Sequence, residues 1–433
     1  MMKLRILLAS STALVLLAAS LAYGQTFRGG ISGSVADASG AAVPGASVKI
    51  VSKGTGLTRE QETTTSGDFT FPDLPTGLYT VTVTKQGFQT QSLDNVEVAV
   101  GKIANLPVTL GVAQQVQTVE VQSAAVTVEA SSSALNAVVN NRAVQEIPLN
   151  GRDFRQLLYL TPGFNQSGSM NGNRSNQNNW QIDGTDNNDF WHNSEAVNQG
   201  SISGIAGVLL PIEAIDQFNQ QSSAGADFGR NPGSMVNLVI KSGTNSLHGS
   251  AYYFNRNEYF ASPSPFSPAG STGKLRNENY GFSLGGPIVR NKTFFFITYE
   301  KQKYVIGNPL QATIISDAWI ASAKLVLDKY GVPVNPVMIA TYQNLWPSRV
   351  RSAPATQPNF FSSDDNSGKS HNGIFKLDQN FGTKHTLSVR AFLGTGEALQ
   401  YGRVRSEGVF PGGSEPTAQL RCDLERGMDT APV

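Results

Sequence analysis

The sequence has little of the chemistry on which catalytic and metal sites usually depend. It contains one cysteine, Cys422, so it can form neither an internal disulfide framework nor a cysteine-based zinc site. Its four histidines, His192, His248, His371 and His385, stand far apart and supply few ligands for a metal centre. We therefore expect no metal, no cofactor and no enzymatic activity.

Charge is also scarce and evenly divided. Lys and Arg together number 33 and Asp and Glu 32, which leaves a formal net charge of +1. Recognition of nucleic acid normally needs a basic patch or stripe, and the basic residues here are scattered along the chain. We therefore expect no nucleic-acid partner, while 433 residues with 39% hydrophobic side chains are enough for two to four folded domains.

Long apolar runs are missing after residue 24, so a membrane could be crossed only by strands. Before that point, a basic start at 1–5, an apolar run at 6–19 and the small-x-small sequence Ala22-Tyr23-Gly24 predict a signal peptide over 1–24. The apolar run is short for a retained membrane helix, and no cysteine follows it to carry a lipid anchor. We expect an exported protein.

Turn-forming residues are abundant, with 43 glycines, and they separate short alternating segments over residues 25–110. In one of these segments Tyr79, Val81 and Val83 fall on one face and threonines on the other, as in a half-buried strand. The predicted strands are 31–35, 46–51, 69–71, 78–83 and 106–110. Several short strands at this spacing indicate a small antiparallel β-sandwich.

This region resembles the carboxypeptidase regulatory-like domain, a transthyretin-like sandwich. The resemblance rests on GSVADASGAAVPGASV at 33–48 and GDFTFPDLPTGLYTVTV at 67–83. It implies a non-catalytic module with a carbohydrate-binding-like fold. The residues themselves provide no evident aromatic platform for a sugar.

Residues 111–140 have the composition of a linker, rich in Ala, Val, Gln and Ser. Within them the run QTVEV is short and β-prone, so it could add a strand to the sheet edge of a partner. It resembles a TonB box, the peptide by which outer-membrane receptors engage a periplasmic energy-coupling protein. Its residues are Gln117, Thr118, Val119, Glu120 and Val121. An ordinary strand of the sandwich or linker is an equally good interpretation.

Residues 141–245 carry four motifs, and an apolar pattern at 154–160 predicts one short helix among them. The motifs are IPLNGRDF at 147–154, QIDGTDN at 181–187, PIEAI at 211–215 and FGRNPGSMVNLVIKSGTN at 228–245. In this order they resemble the plug domain of TonB-dependent receptors, and their residues are most similar to those of the Oar-like branch.

The resemblance implies roles for individual plug residues. Those with a structural role are Arg152, Asp183, Gly184, Glu213 and Arg230. We expect the two arginines to pair with carboxylates such as Glu213 or Asp216 and to help hold the plug to its barrel. Ligand contacts in such receptors usually lie on the plug apices and outer loops, and the candidates here are Trp180, Phe190 and Trp191.

Residues 246–433 show the alternation of a barrel wall. Tyr280, Phe282 and Leu284 alternate with polar or small residues, and so do Leu387, Val389 and Ala391. A soluble sandwich shows the same period. SGTNSLHGSA at 242–251 and LGGPIVRNKTFFF at 284–296 resemble the plug-to-barrel junction and an early hairpin of the Oar-like barrel, which favours the membrane interpretation.

Three further features of this region carry predictions. A hairpin is expected over 375–392 and a helix over 316–331, the latter in a long outer loop. The aromatic groups at 252–254 and 294–296, with Tyr299, suit girdles at the membrane interfaces.

Two motifs resemble enzyme sites. G-x-S-x-G at 281–285, followed by Asp378 and His385, has the chain order of a serine hydrolase, but an alternating strand runs through Ser283 and Gly286-Pro287 follows it. Gly368-Lys369-Ser370 lacks the first glycine of a phosphate loop. Asp183, Asp186 and Asp189 are possible calcium ligands, but their spacing is not that of an EF-hand loop. A turn is therefore the better interpretation of this segment.

Together these features predict a mainly β protein: a transthyretin-like β-sandwich, then an α+β plug domain, then a partial antiparallel transmembrane β-barrel. The resemblance implies an outer-membrane receptor of a Gram-negative-type bacterium, whose partners are outer-membrane lipid and a TonB-type periplasmic protein. The ligand could be an oligosaccharide, a siderophore or a peptide. The alternative function is that of a secreted carbohydrate-binding or adhesion protein built from β-sandwiches.

The chain also looks short for its family. A plugged transporter barrel has on the order of 22 strands, whereas about 190 residues after the plug allow roughly eight. The sequence therefore predicts an incomplete, C-terminally truncated barrel.

Overall fold

The computed structural model describes most of the chain after residue 27. The described residues are 28–112, 119–121, 136–147, 149, 152–165, 168–188, 193, 210–222, 233–262, 273–307, 310–312, 315–345, 351–352, 360–362, 365–383, 385–399 and 417–426. The predicted signal peptide lies outside them. Within these ranges no helix is both long and apolar enough to cross a membrane.

The first unit is a two-sheet sandwich. Its strands are β1 (Gly29–Asp37), β2 (Ser47–Ser52), β3 (Thr58–Glu62), β4 (Asp68–Leu74), β5 (Gly77–Thr84), β6 (Gln91–Val98) and β7 (Ile103–Leu110). One sheet has the order β4-β1-β7, and the other has the order β3-β2-β5-β6 with β8 (Val119–Val121) at its edge. Alternate apolar side chains, among them Ile50, Val81 and Val83, fill the space between the sheets.

All five strands predicted in this unit are present, and β3 and β6 are additional. Strand β3 reads TREQE, which has no apolar face to signal it. In β6, Asn95 has a positive φ of 58° and the pairing with β5 shifts register nearby. That irregularity breaks the period of two on which the sequence prediction depended.

The second unit, the plug, is a five-stranded sheet with short helices. Its strands are β9 (Asn136–Val139), β10 (Asn179–Ile182), β11 (Thr185–Asp186), β12 (Ile215–Gln221) and β13 (Met235–Ile240), in the order β11-β10-β13-β12-β9. Its helices are α1 (Asn141–Glu146) and the 3₁₀ helices Phe154–Leu160, Ser175–Gln177 and Ile212–Ala214. The helix predicted at 154–160 is thus present in 3₁₀ form. Strand β9 falls inside the predicted linker because it pairs with β12 as the sheet's edge.

The two faces of the plug sheet differ in chemistry. One face carries the apolar core, including Phe218, Val236 and Leu238. The other carries amide side chains, and Gln181, Asn237 and Asn219 lie in register across three neighbouring strands. These three amides are buried, so another part of the chain must cover them.

The third unit, over the residues that the structure describes, is an open antiparallel sheet of six strands, which we call the wall. Its strands, in order, are β14 (His248–Asn257), β15 (Leu275–Val289), β16 (Thr293–Gly307), β19 (Asp365–Phe381), β20 (His385–Leu399) and β21 (Thr417–Arg426). A separate pair consists of β17 (Leu310–Ala312) and β18 (Phe360–Ser362). Helices α2 (Asp317–Lys329) and α3 (Pro336–Leu345) lie between β17 and β18 in the chain.

The predicted hairpins and alternation are present in the wall, and the predicted helix is present as α2 in the connection between β16 and β19. Tyr280, Phe282 and Leu284 are 37–42% exposed, whereas Ser283 and Thr298 face inward and are buried. The predicted fold class is confirmed. The girdle assignment is wrong for two pairs of rings. Phe294 and Phe296 are 1% exposed and Phe296 packs against the plug core, because alternate positions of β16 point inward. Tyr252 and Phe254 of β14 face Arg152 of the plug.

The two ends of the wall differ in the length of their connections. At one end, residues 290–292 and 382–384 link consecutive strands by short turns. At the other end, the connections include residues 258–274 and 308–364. In bacterial outer-membrane barrels short turns face the periplasm and long loops face outward.

Candidate functional site at the plug and wall interface

The plug contributes a tight turn to this interface. Strands β10 and β11 are joined by Asp183 and Gly184, whose φ angles are 46° and 74°. A two-residue hairpin with positive φ at both positions favours Asp-Gly, since aspartate tolerates the left-handed region and glycine has no steric cost there. The turn places the Asp183 carboxylate where it is 2% exposed.

Asp183 is held by both the plug and the wall. Its Oδ1 accepts a hydrogen bond of 2.9 Å from the backbone N–H of Ile240. Its Oδ2 lies 2.5 Å from Nη1 of Arg390 and 3.3 Å from Nζ of Lys376. Arg390 is on β20 and Lys376 on β19, so this ion cluster joins the plug to two wall strands.

The cations of the cluster have further acceptors. Lys376 Nζ donates to the backbone carbonyl of Ile240 at 2.9 Å, and Arg390 Nη2 donates to Thr185 Oγ1 at 3.2 Å. Burial alone would raise the pKa of Asp183, but the charges of Lys376 and Arg390 hold that pKa below its usual value. The carboxylate is therefore ionised at neutral pH.

A second cluster surrounds Arg152. Its Nη2 lies 3.4 Å from Glu213 Oε1, and its Nε lies 3.7 Å from Glu300 Oε2 on β16. The guanidinium carbon sits 4.9 Å from the ring centre of Tyr252 and 4.1 Å from that of Phe254, both on β14. Arg152 thus joins a plug carboxylate to two wall strands through charge and ring contacts.

Glu213 also connects this cluster to other parts of the plug. Its Oε2 accepts from Gln145 at 2.9 Å and lies 3.9 Å from Lys241 Nζ. Burial lowers the pKa of Lys241, while Glu213 and Asp216 act against that shift.

Asp216 differs from the other plug carboxylates in its partner. Its Oδ2 accepts a hydrogen bond of 3.0 Å from Thr76 Oγ1 of the sandwich. Burial raises the pKa of Asp216, with the Thr76 bond and the charges of Lys376 and Lys241 acting in the opposite direction. The arginine pairing expected for Glu213 or Asp216 is found at Glu213 for Arg152.

A cavity of about 560 Å³ lies where sandwich, plug and wall meet. The sandwich contributes Thr76 to its lining, the plug contributes Asp216 and Lys241, and the wall contributes Lys376 and Arg390. Charged groups of both signs therefore face one shared space at the short-turn end of the wall.

The structure brings some of the predicted site residues together and relocates others. Arg152 and Glu213 share one cluster, while Asp183 and Gly184 form the turn of the other. Trp180 is 4% exposed and packs edge-on against Phe154 at 6.3 Å, so it is a core residue and not a surface contact for a ligand. Its position on the apolar face of β10 explains the error. Arg230, Phe190 and Trp191 lie outside the described residues.

The proposed partner-binding segment is described only in part. Gln117 and Thr118 lie outside the described residues. Val119, Glu120 and Val121 form β8, whose backbone pairs in parallel with Gln91–Leu93 of β6. This pairing agrees with the alternative interpretation, an ordinary edge strand of the sandwich. The role of the segment in binding a partner stays a prediction.

The enzyme-like motifs occupy regular wall strands. Ser283 lies inside β15, and its hydroxyl shares a 2.9 Å hydrogen bond with Ser250, so it is not at a strand-to-helix elbow. Gly368, Lys369 and Ser370 are part of β19 and form no phosphate loop. No group of three or more metal-binding side chains occurs in the described part of the chain.

Sequence reasoning missed the two wall cations, Lys376 and Arg390. The alternation of β20 puts Arg390 on its polar face, so its inward direction was predictable, but its partner 207 residues away was not. A lone inward arginine in an apolar-out strand is a usable signal, because a buried charge needs a partner.

Comparison with known proteins adds two domain matches. Residues 239–420 match the family described as an outer membrane beta barrel domain, and residues 30–111 match the carboxypeptidase regulatory-like domain. A curated relative, the TonB-dependent transporter Oar of Myxococcus xanthus, is 27% identical over 336 residues. The alignment covers 70% of this chain and 30% of the relative, so the chain spans about a third of that protein's length.

Solved structures with partial similarity include two receptors. The ferric enterobactin receptor PfeA of Pseudomonas aeruginosa has a TM-score of 0.37 at 15% identity, covering 61% of this chain and 33% of the receptor. The siderophore receptor PirA of Acinetobacter baumannii has a TM-score of 0.35 at 14% identity, covering 67% and 45%.

Proposed function

We propose that this chain, a relative of the Oar-like TonB-dependent receptors and a protein of the Gram-negative outer membrane, acts in the uptake of an external ligand through a plugged barrel. The observation that carries the proposal is the ion cluster of Asp183, Lys376 and Arg390. A soluble sandwich fills its interior with apolar side chains. Here the inward face of the wall meets a separate folded plug through buried charges.

The proposed orientation in the membrane is based on the two ends of the wall. The long connections at 258–274 and 308–364 are assigned to the outside, where a ligand arrives. The short turns at 290–292 and 382–384 are assigned to the periplasm. The sandwich approaches this second end, because the space beside its Gly56 is occupied by Asn291.

The partner-binding role is assigned to residues 117–121. Val119–Val121 pair with β6 at the edge of the sandwich, and the sandwich approaches the end of the wall that is assigned to the periplasm. A short β-prone segment can be gripped by strand addition, in which backbone hydrogen bonds provide the affinity. Force applied there would reach the plug through β9, which is the next strand along the chain.

No particular ligand is part of the proposal. The comparisons give no support to a carbohydrate, and the described residues include no exposed aromatic plug residue from the predicted candidates. A secreted adhesion or carbohydrate-binding protein is not favoured, because residues 239–420 match a membrane barrel domain.

The first test is membrane association of the whole chain. Expressed with its own N-terminus in a Gram-negative host, the protein is expected in the outer-membrane fraction, resistant to alkaline carbonate and released only by detergent. A protein recovered as a soluble monomer from the periplasm would contradict the proposal.

The second test addresses the partner. Val121→Pro removes a backbone donor from the candidate segment, and Val126→Pro is a matched change five residues further along the same linker. We expect the periplasmic energy-coupling protein of the same organism to bind the wild type and the Val126→Pro variant but to lose at least tenfold in affinity for Val121→Pro. Equal affinity for the two variants would remove 117–121 as the binding segment.

A further inference from the structure

One turn of the sandwich packs against the β12 part of the plug's amide face. The turn follows β6, and its Val100 is completely buried. Val100 N–H donates to Gln217 Oε1 at 3.1 Å, and Asn219 Nδ2 donates to Val100 O at 3.2 Å. One residue of the sandwich is thus held on both sides by amides of β12.

Gly101 makes this close approach possible. Its φ is +65°, a conformation that side chains rarely adopt, and a Cβ at this position would lie 2.4 Å from Asn219 Nδ2. Glycine is therefore needed both for the turn and for the contact.

The sandwich reaches the plug and the plug-to-wall junction at two more places. Thr76 donates to Asp216 of the plug at 3.0 Å. Gly54 O accepts from Asn245 N–H at 2.8 Å, just before β14 begins. Asn245 is in turn bound to Asn291, in the turn between β15 and β16, by two hydrogen bonds of 2.7 and 2.8 Å.

The hydrophobic clusters connect the three units differently from these hydrogen bonds. One hydrophobic cluster of the described residues contains only sandwich side chains, from Ile31 to Leu110. The other joins plug residues to Phe296, Ile374 and Phe392 of the wall. Plug and wall therefore share a core, whereas the sandwich is joined to the other two units by hydrogen bonds between polar groups.

We propose that the regulatory-like sandwich is a releasable brace, which holds the plug sheet against the periplasmic rim of the wall through the Val100–Gly101 turn, Thr76 and Gly54. A plug that moves relative to the wall must break one end of this brace. Polar groups regain hydrogen bonds to water on release, so detachment exposes the buried Val100 but does not separate the residues of either hydrophobic cluster. The coupling of release to transport rests on the proposed function; the brace itself does not.

A disulfide tests whether the sandwich is docked. A Cβ on Gly54 would lie 3.9 Å from the Cβ of Thr244, within the range of disulfide bonds. In a Cys422→Ser background, we expect Gly54→Cys with Thr244→Cys to form the bond under mild oxidation in the whole chain. Failure to form it in folded, membrane-inserted protein would overturn the docked arrangement.

A pair of glycine variants tests the brace. Gly101→Leu places a side chain against Asn219, and Gly87→Leu is the control, because Gly87 also has a positive φ but nothing within 4 Å of its Cβ. We expect Gly101→Leu to raise hydrogen exchange in peptides over 215–221 by about tenfold, with Gly87→Leu close to wild type. Equal exchange in both variants would overturn the proposal.

The engineered disulfide also separates release from damage. When Gly101→Leu is combined with Gly54→Cys and Thr244→Cys, oxidation is expected to restore protection of 215–221 and reduction to remove it. No restoration would mean that Gly101→Leu damages the plug itself and does not merely release the sandwich.

The wild-type protein provides a separate test of release. The Val100 amide is expected to exchange faster than the Val81 amide of the sandwich core. Exchange of both amides only on global unfolding would show that the brace does not release.

These outcomes are independent of the partner-binding test. Loss of the proposed function would appear as absent binding to 117–121 with the disulfide and exchange results unchanged. Loss of the brace would appear in the disulfide and exchange results, whatever the partner does.

Discussion

Asp183 and Arg390 are 207 residues apart in the chain and form an ion pair with 2.5 Å between Oδ2 and Nη1. Both side chains are 1% exposed. Burying two charges costs desolvation free energy. The attraction between them offsets this cost only where further hydrogen bonds complete the site. Ile240, Thr185 and Lys376 supply those bonds and the second positive charge, so the pair fixes the plug in one position against the wall.

Removing the negative charge from this cluster is expected to loosen the plug. Asp183→Asn keeps the shape but leaves Arg390 and Lys376 buried without a counter-charge, which costs about 3–5 kcal/mol. The measurement is urea unfolding of the whole chain, followed by hydrogen exchange over 235–240. Asp186→Asn, an exposed change in the same hairpin, is the control and is expected to have little effect. Similar unfolding midpoints for the two variants would contradict the assigned role.

A substitution at Trp180 tests whether this side chain belongs to the plug core or to a ligand-binding surface. Because the side chain is buried against Phe154, Trp180→Ala is expected to destabilise the plug by about 3–5 kcal/mol through lost burial and a cavity. Tyr159→Ala, at a position that is 46% exposed, is the control and is expected to cost much less. A Trp180→Ala protein with wild-type stability in chemical denaturation would restore Trp180 as a surface candidate.

Periodic alternation predicted the strands of the sandwich and the wall, and sequence motifs predicted the plug. Strands with strict alternation, such as 78–83, were found, while polar β3 and irregular β6 were not. Motifs placed the plug, but long-range pairing is not encoded in any local pattern. Thus the turn at Asp183-Gly184 was predictable from its two residues, whereas its contacts with β19 and β20 were not. The docking of Val100 on β12 was hidden for the same reason.

The outward face of the wall offers a test of membrane insertion. Phe282 is 42% exposed in the middle of β15, and in water an arginine there would be tolerated. On a lipid-facing surface, Phe282→Arg is expected to cost about 2–4 kcal/mol near the bilayer midplane. Tyr259→Arg, in the connection beyond β14, is the control. The readout is the amount of protein in the outer-membrane fraction; equal amounts for both variants would argue for a soluble wall.

Arg152 is expected to depend on its planar group as well as its charge. Arg152→Lys keeps the charge but loses the stacking on Tyr252 and Phe254 and the simultaneous approach to Glu213 and Glu300, so we expect a loss of about 1–2 kcal/mol. Arg142→Lys, in an exposed pair with Glu146, is the matched control. It is expected to change the free energy of unfolding by about 0.5 kcal/mol or less. A lysine variant as stable as the control would reduce the Arg152 cluster to simple charge pairing.

Asp216 is expected to make the plug more stable as the pH falls. Burial raises its pKa, so the folded protein binds a proton there more tightly than the unfolded chain. Its contribution to stability is complete below the unfolded value, about pH 4, and is lost as the pH rises through the higher folded value. Asp183 has the opposite sign, because its folded pKa is lowered and its contribution is lost as the pH falls through that value.

Asp216→Asn removes this titration while keeping an acceptor for Thr76. We expect the variant to be more stable than wild type at neutral pH, with the difference disappearing on acidification before Asp183 is protonated. The measurement is hydrogen exchange over 215–221 as a function of pH, corrected for the intrinsic exchange rate. Parallel curves for variant and wild type would mean that Asp216 does not titrate with folding, and that its bond to Thr76 does not respond to pH.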